Sequence, residues 1–552
     1  MFNFLFVFFL NAFQSLLILL AIDLAIAFYL SIKYKKRIFS FLIVFLGSTI
    51  IFLTLFFNLD NLSRELLYKN QELVFHKNTP YGDLVITRRG DQLNFYENNL
   101  LLFTTNNPSN AEEAAHYAMV QHSSPKNVLL LSGGISGIID EILKYDVSRI
   151  DYVEINPSII EIGKKYGFFV EKRQVNVINQ DARLFIKNTL DKYDVVLINL
   201  PEPNTAQINR FYTSEFFSIV KDKLSPDGII CLSLMSTGNY VSNESVKLNS
   251  VIYNTIKQFF NQILIVPGEK NYFIASDQAL NINIAQLIQE RGIENIYVNQ
   301  YYLDDQLIGQ RSQNILQNID KESKINRDFI PVAYFFQIRY WLSYFSSGYW
   351  FFAGFFLLLL IICLSRLKPI SLGLFTGGFA ASSIEILLLI SFQIIYGYVF
   401  RMTGIIITIF MAGIAIGALY REKIIPIASI KNFIRIQFII GLYSLLLPFV
   451  LILLKTSSFK PYILHIIFFL ITFFIALIIG IEFSVATGLQ KKKISEIAAE
   501  LYSIDLLGSA IGALLVSVFI IPVLGIINVG IILGLMNFGS ALVSYIKRKH
   551  YT

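Results

Sequence analysis

The chain has 552 residues, of which 54% are hydrophobic and 15% charged, against about 25% charged in an ordinary soluble domain; its mean hydropathy is +0.56. That composition excludes a wholly soluble protein. Much of the net charge of +7 gathers at the ends of apolar runs, which favours membrane topology over a nucleic-acid partner as its cause. The two cysteines, Cys231 and Cys363, exclude a disulfide framework or a cysteine-rich metal site.

Two apolar runs come first, Phe4 to Ser31 and Ile38 to Phe57, separated by Lys33, Lys35, Lys36 and Arg37. Each approaches the ~20 residues that a span requires. The first lacks a basic leader and carries Asp23, so it reads as a span and not as a cleaved signal peptide. From Val85 to Phe103 apolar and polar residues alternate around turn signals at Arg89-Gly90 and Asn98-Asn99, which predicts a small β-hairpin module. From Asn127 onward short β-branched runs alternate with helical patterns, which predicts a doubly wound, Rossmann-like α/β domain.

The first unit of that domain carries the chemistry. A strand over Val128 to Leu131 runs into Ser132-Gly133-Gly134-Ile135-Ser136-Gly137 and then a helix from about Ile138 to Lys144. Gly133, Gly134 and Gly137 at such a turn let a ligand approach the backbone. The second strand, Arg149 to Val153, ends at Glu154, 21 residues after Gly133. A carboxylate at this place can accept both hydroxyl hydrogens of a ribose. A third strand, Val175 to Asn179, leads to Asp181, placed either to accept from an exocyclic amine such as that of adenine or to cap the helix beginning at Ala182. A fourth, Val195 to Asn199, leads into Leu200-Pro201-Glu202-Pro203. Ligands of open α/β sheets sit beyond the carboxyl ends of the strands, so Glu154, Asp181 and Asn199 are expected to converge there. His76, His122, His465 and His550 have no metal-ligand spacing, and no metal is expected. Gly163 and Gly167, in a lysine-rich turn, read as a helix end.

Seven further spans are expected near Ser346 to Leu364, Ile370 to Tyr398, Thr403 to Tyr420, Ile436 to Leu454, Tyr462 to Phe483, Leu501 to Ile521 and Ile526 to Ile546, which makes nine in all. The organisation then reads as two transmembrane helices in 1–58, a small β subdomain and linker in 59–126, the Rossmann-like domain in 127–345 and a multi-pass helical domain in 346–552. Sixteen basic residues fall on one side: Lys33, Lys35, Lys36, Arg37, Arg366, Lys368, Arg421, Lys423, Lys431, Arg435, Lys491, Lys492, Lys493, Lys547, Arg548 and Lys549. The other short connections hold three, Arg401, Lys455 and Lys460. The positive-inside rule then places the N-terminus and the soluble domain outside the cytoplasm of a cell membrane, and the C-terminus inside. Four acids, Asp23, Glu385, Glu482 and Asp505, lie within or at the edge of spans, where carboxylates mark a polar interior or pathway, or bond one helix to another. Gly413 with Gly417, and Gly508 with Gly512, put small residues on one helix face for close packing.

The stretches Glu113-Ala114-Ala115-His116-Tyr117-Ala118-Met119-Val120, Ser132-Gly133-Gly134, Asp151-Tyr152-Val153-Glu154-Ile155-Asn156-Pro157, Asp181-Ala182-Arg183 and Leu200-Pro201-Glu202-Pro203-Asn204, continuing to Arg210-Phe211-Tyr212, resemble the spermidine synthase (polyamine aminopropyltransferase) family. The resemblance covers roughly residues 75 to 340, and Phe410-Met411-Ala412-Gly413 and Asp505-Leu506-Leu507-Gly508 are similar to its membrane-embedded bacterial relatives. It implies a transfer of an aminopropyl group from decarboxylated S-adenosylmethionine to an amine, with no tightly bound cofactor. It also implies Glu154 as the ribose acid and Asp181 as the adenine-contacting acid. On the amine side the pattern departs: Ile135 stands where the family has an aspartate, Asn199 where it has the catalytic aspartate, Leu102 for a glutamine and Tyr117 for an acid. His116, Asn199 and Glu202 are the remaining catalytic candidates. A second reading is a sensor or transport-associated protein that uses the same nucleoside-type pocket. A methyltransferase shares the fold but calls for a methionine-carboxylate site that the sequence does not display.

Overall fold

The computed structural model describes residues 6, 9–105, 107–236, 242–344, 354, 358, 361–362, 364–397, 400–457, 459–490 and 494–548. They form two compact units, one of Met1–Ala182, Tyr193–Asn199 and Asn283–Asp305, the other of Arg183–Lys192, Leu200–Ile282 and Gln306–Thr552.

The first unit opens with two apolar helices, α1 (Ala12–Lys33) and α2 (Arg37–Phe56). Asn11 and Gln14 close a reciprocal capping box on α1. The tight turn to α2 takes Lys35 to a φ of 55°, and the hydroxyls of Ser31 and Ser40 meet at 2.6 Å across the pair. A short helix α3 (Leu59–Leu67) leads to an antiparallel sheet of β1 (Glu72–Asn78), β2 (Asp83–Arg89), β3 (Gln92–Glu97) and β4 (Leu100–Thr104) in sequential order. The sheet has one more strand than the hairpin signals suggest. Two of its three turns fall at Gly90 and at Asn98-Asn99, with positive φ as tight hairpins require.

After α4 (Pro108–Met119) the parallel strands follow: β5 (Asn127–Leu131), β6 (Arg149–Val153), β7 (Val175–Ile178) and β8 (Tyr193–Ile198), in the spatial order β8-β5-β6-β7. Helices α5 (Ile138–Ile142) and α6 (Pro157–Lys165) connect β5 to β6 and β6 to β7. β5, β6 and β8 are buried along almost their whole length, as a covered parallel sheet demands, whereas the edge strand β7 is half-exposed. Their carboxyl ends are tied in sequence, because Ser132 N donates to Val153 O at 2.9 Å, Glu154 N to Ile178 O at 3.0 Å and Asn199 N to Leu131 O at 3.0 Å. This is the Rossmann-like core.

The second unit contains α7 (Ala182–Asn188, from Arg183 on), α8 (Ser214–Asp222), β9 (Leu224–Met235), α9 (Asn243–Lys257), β10 (Gln262–Pro267), β11 (Lys270–Ser276) and α10 (Val332–Ser343). Its strands pair antiparallel in the order β10-β11-β9. Long apolar helices follow: α11 (Pro369–Tyr396), α12 (Phe400–Leu419), α13 (Ile430–Thr456), α14 (Pro461–Gly488), α15 (Ser503–Leu515) and α16 (Ile521–Ile546). Among the described residues seven helices are long and apolar enough to cross a membrane, and the last of them, Ala499–Ile546, runs through both of the final expected spans. One residue breaks it, Gly525, with φ 78° and ψ 169°. Phe329 and Ile330 occupy the break, and Ile526 N donates to Phe329 O at 3.1 Å. Most of the span expected at Ser346 to Leu364 lies outside the described residues. The glycine pairs act as their spacing suggests: Gly413 and Gly417 lie against the backbone of α14, and Gly508 and Gly512 against that of α11.

Candidate functional site

The glycine turn after β5 is a conformation that most residues avoid. Ser132 and Gly133 are both left-handed, at φ 64° and 78°, and Gly137 closes the short 3-10 turn at φ 96°. Any side chain on Gly133 would run into the amide of Asn199, and a methyl on Gly134 would lie 2.5 Å from the ring of Tyr152. The turn is therefore pressed against the ends of β6 and β8. Ser132 is the one non-glycine of the turn held at positive φ, a conformation that costs energy and clusters at functional sites.

Glu154 stands just beyond β6, 3% exposed. Its Oε2 accepts from Ser132 Oγ at 3.0 Å and from the Tyr152 hydroxyl at 3.2 Å, and its Oε1 accepts from Asn156 N at 3.3 Å. Asn179 Nδ2 donates to its main-chain oxygen at 3.0 Å. Glu97 at the end of β3 accepts from Asn156 Nδ2 at 3.0 Å and is the charged group that acts on Glu154. Burial, reinforced by the like charge of Glu97, pushes the Glu154 carboxyl up to about 7. Burial also raises Glu97, against the hydrogen bond from Asn156. Asp181, between β7 and α7, is buried at 6% exposure. The structure thus gathers Gly133, Gly134, Glu154 and Asn199 around one turn, with Asp181 following the neighbouring strand.

His116 is fully buried in α4. Its Nδ1 lies 2.8 Å from the Tyr145 hydroxyl and its Nε2 2.8 Å from Glu141, which also pairs with Lys144 at 2.6 Å. Both ring nitrogens are engaged. Burial works against the charge on Glu141, but His116 and Lys144 outweigh it and hold the carboxyl below its usual range. Ile135, where a family aspartate would stand, is a core residue packed on Gly163.

Glu202 belongs to the second unit. Its Oε2 accepts from Gln337 Nε2 of α10 at 2.6 Å, while Gln337 Oε1 is buried without a donor. One turn further along α10 the hydroxyls of Tyr340 and Tyr344 meet at 2.8 Å. Tyr212 fixes the loop by donating to Pro201 O at 2.9 Å. Burial raises the Glu202 carboxyl, opposed by Gln337, by Lys270 and by the Met235 backbone. Ser132, Tyr152, Glu97, Asn156 and Gln337 were not singled out by sequence. Only Ser132 and Asn156 had a local signal, as a neighbour of the glycines and as an Asx cap before Pro157.

A glycine turn with left-handed backbone, a buried acid closing the next strand and polar residues at the ends of two more lie at the carboxyl ends of the strands of a Rossmann-like fold, where open α/β sheets place their ligands. The spermine/spermidine synthase domain profile matches residues 108–282. The chain is 28% identical over 230 residues to the polyamine aminopropyltransferase of Oceanobacillus iheyensis, covering 39% of this chain and 44% of that one. It is 30% identical over 244 residues to the polyamine aminopropyltransferase of Sulfurisphaera tokodaii, covering 40% and 78%. The crystal structure of spermidine synthase from Thermotoga maritima aligns with a TM-score of 0.38 at 18% identity, over 45% of this chain and 88% of that one. The chain belongs to the spermidine synthase, or polyamine aminopropyltransferase, family. It spans less than half the length of the Oceanobacillus relative.

Proposed function

We propose that the protein is a membrane-bound aminopropyltransferase that binds decarboxylated S-adenosylmethionine and transfers its aminopropyl group to an amine. The observation that carries this reading is the Glu154 carboxylate, buried over the Ser132-Gly133-Gly134 turn with no cation paired to it among the described residues and with both oxygens oriented by neutral donors. Such a carboxylate accepts the ribose hydroxyls, and Asp181 accepts from the base amine. In the transfer the amine nitrogen attacks the carbon bonded to the sulfonium. A C–N bond forms, the C–S bond breaks, and its electron pair neutralises sulfur to give methylthioadenosine.

The attacking nitrogen must shed a proton. Asn199 is an amide and too weak a base to take it, and its side chain packs against Gly133. Glu202 is the acceptor in this reading: burial raises its proton affinity, and Gln337 Oε1 offers a second acceptor for an ammonium. His116, engaged by Tyr145 and Glu141, braces α4. Calorimetry on the full-length protein in detergent tests the assignment. Methylthioadenosine is expected to bind, and absence of heat at millimolar ligand would overturn it.

The domain limits 1–58, 59–126, 127–345 and 346–552 are part of the same proposal, as is the lipid bilayer around the apolar helices, whose outward faces carry residues such as Ile38, Phe41 and Leu453. The basic loops favour an extracytoplasmic soluble domain in a cell membrane. That sidedness, with Asn199 in place of an acid, supports a second reading in which the nucleoside pocket serves a sensor or a transport-associated protein.

A further inference from the structure

Inside the apolar helices of the second unit five helices meet at a polar centre. Glu482 of α14 is 1% exposed. Gln437 of α13 donates to its Oε1 and also to Gly373 O of α11, the latter at 2.9 Å. The Gln437 oxygen accepts from Ser540 of α16 and from Thr376 of α11, whose hydroxyls are 3.0 Å apart. Asp505 of α15 packs on the neighbouring position of α11. A methyl on Gly377 would lie 2.8 Å from Glu482 Oε1, and one on Gly378 would lie 2.7 Å from Asp505 Oδ1 and 3.0 Å from Ser509 Oγ. Two carboxylates therefore rest on consecutive glycines. Neither is ion-paired with a basic residue among the described residues.

A second observation extends the centre. Asn537, three residues before Ser540 on α16, is fully buried, and its Oδ1 meets no donor. Among the described residues no counter-charge pairs with either acid: Arg421 bonds Ser484 Oγ at 3.3 Å and pairs with Glu422, Lys368 caps α11, Lys431 and Arg435 lie in the first two turns of α13, Lys547 and Arg548 follow α16, and the further acid on α11 is Glu385. Neighbouring carboxylates in a low dielectric cannot both stay charged without a cation.

We propose that Glu482 and Asp505 form a binding site for one small monovalent cation, with Gln437, Thr376, Ser509, Ser540 and Asn537 supplying the surrounding oxygens. The two acids pack directly on the α11 backbone at Gly377 and Gly378, and a proton or a bare metal ion such as sodium is the smallest charge that can match them. The site is independent of the nucleoside pocket and gives the helices a function of their own, cation binding within the apolar layer.

The test uses the full-length protein in lipid nanodiscs. In the proton case, infrared spectra show a protonated-carboxyl band at neutral pH that is lost in Glu482→Gln. In the sodium case, the wild type unfolds at higher temperature in sodium chloride than in choline chloride, and Asp505→Asn abolishes the shift. Absence of both signatures in the wild type overturns the proposal, whatever the variants do. A band or a sodium response that survives both substitutions also overturns it.

Discussion

Glu154 and Asp328 are carboxylates buried to nearly the same degree, 3% and 2% exposed, yet their regions treat them in opposite ways. Around Glu154 every donor is neutral, the charged group acting on it is another acid, and the carboxyl is pushed up to about 7. Around Asp328 the charges are complete. Arg183 clasps both oxygens at 2.8 and 2.7 Å, Lys455 of α13 reaches it at 2.9 Å and also Glu215 at 2.8 Å, and Thr213 Oγ1 donates at 2.8 Å. Burial alone would raise Asp328, but Arg183 and Lys455 hold it below the usual range. The difference separates two uses of a buried acid. One whose charge is already matched holds structure, and one whose charge is unmatched is kept for something that arrives.

Removing the match gives the largest expected effect. Asp328→Asn leaves Arg183 and Lys455 facing each other, and breaking a buried pair costs about 3–5 kcal/mol. Thermal unfolding in detergent is expected to show that loss, with Lys455→Met costing less because Lys455 is part-exposed. Asp328 lies in the segment that fills the break at Gly525, and Asn326 beside it bonds Asn209 at 3.1 Å and Tyr212 O at 2.8 Å. The ion pair thus ties α13 to the segment that braces the loop carrying Glu202. An unchanged unfolding temperature in Asp328→Asn would erase the distinction drawn above.

Glu154→Gln probes the other side of the contrast. It keeps the shape but exchanges a charged acceptor for a neutral amide, and hydrogen bonds to charged groups carry roughly 1.5–3 kcal/mol each. Methylthioadenosine is expected to bind about a hundredfold more weakly by calorimetry, with folding little affected or improved. A variant that binds as well as the wild type would make Glu154 a structural acid like Asp328.

Much of this contrast was open to sequence reading on one side only. The glycine turn, Glu154, Asp181 and Asn199 sit where a strand period ends and a helical one begins, so position along the chain located them at the carboxyl ends of β5 to β8. The departures from the family pattern were visible too, and Ile135 is buried core. The partners were not legible. Arg183 and Asp328 are 145 residues apart, Gln337 and Glu202 are 135 apart, and neither spacing carries a periodic signal. The first strand of the small sheet, β1, escaped because Glu72–Asn78 is mostly half-exposed and its alternation is weak. Similarly, hydropathy marked two final spans but could not reveal that their junction is a single glycine at positive φ.

The smallest effect is also the most specific, because it follows from the unmatched charge of Glu154. A ribose hydroxyl donates to the ionised carboxylate, so ligand binding competes with the proton. With the carboxyl at about 7, affinity for methylthioadenosine is expected to be level above that pH and to fall about tenfold between pH 8 and pH 6. Stability without ligand runs the other way. The folded state holds a proton that the unfolded chain, with a carboxyl near the ordinary 4.5, has released, so stability falls as pH rises from about 4.5 to about 7. Glu97→Gln removes the like charge beside Glu154 and should move the midpoint of both curves to lower pH. Calorimetry and thermal unfolding over the same pH series would show the two opposed slopes, and a pH-independent affinity would mean that Glu154 does not receive the ligand.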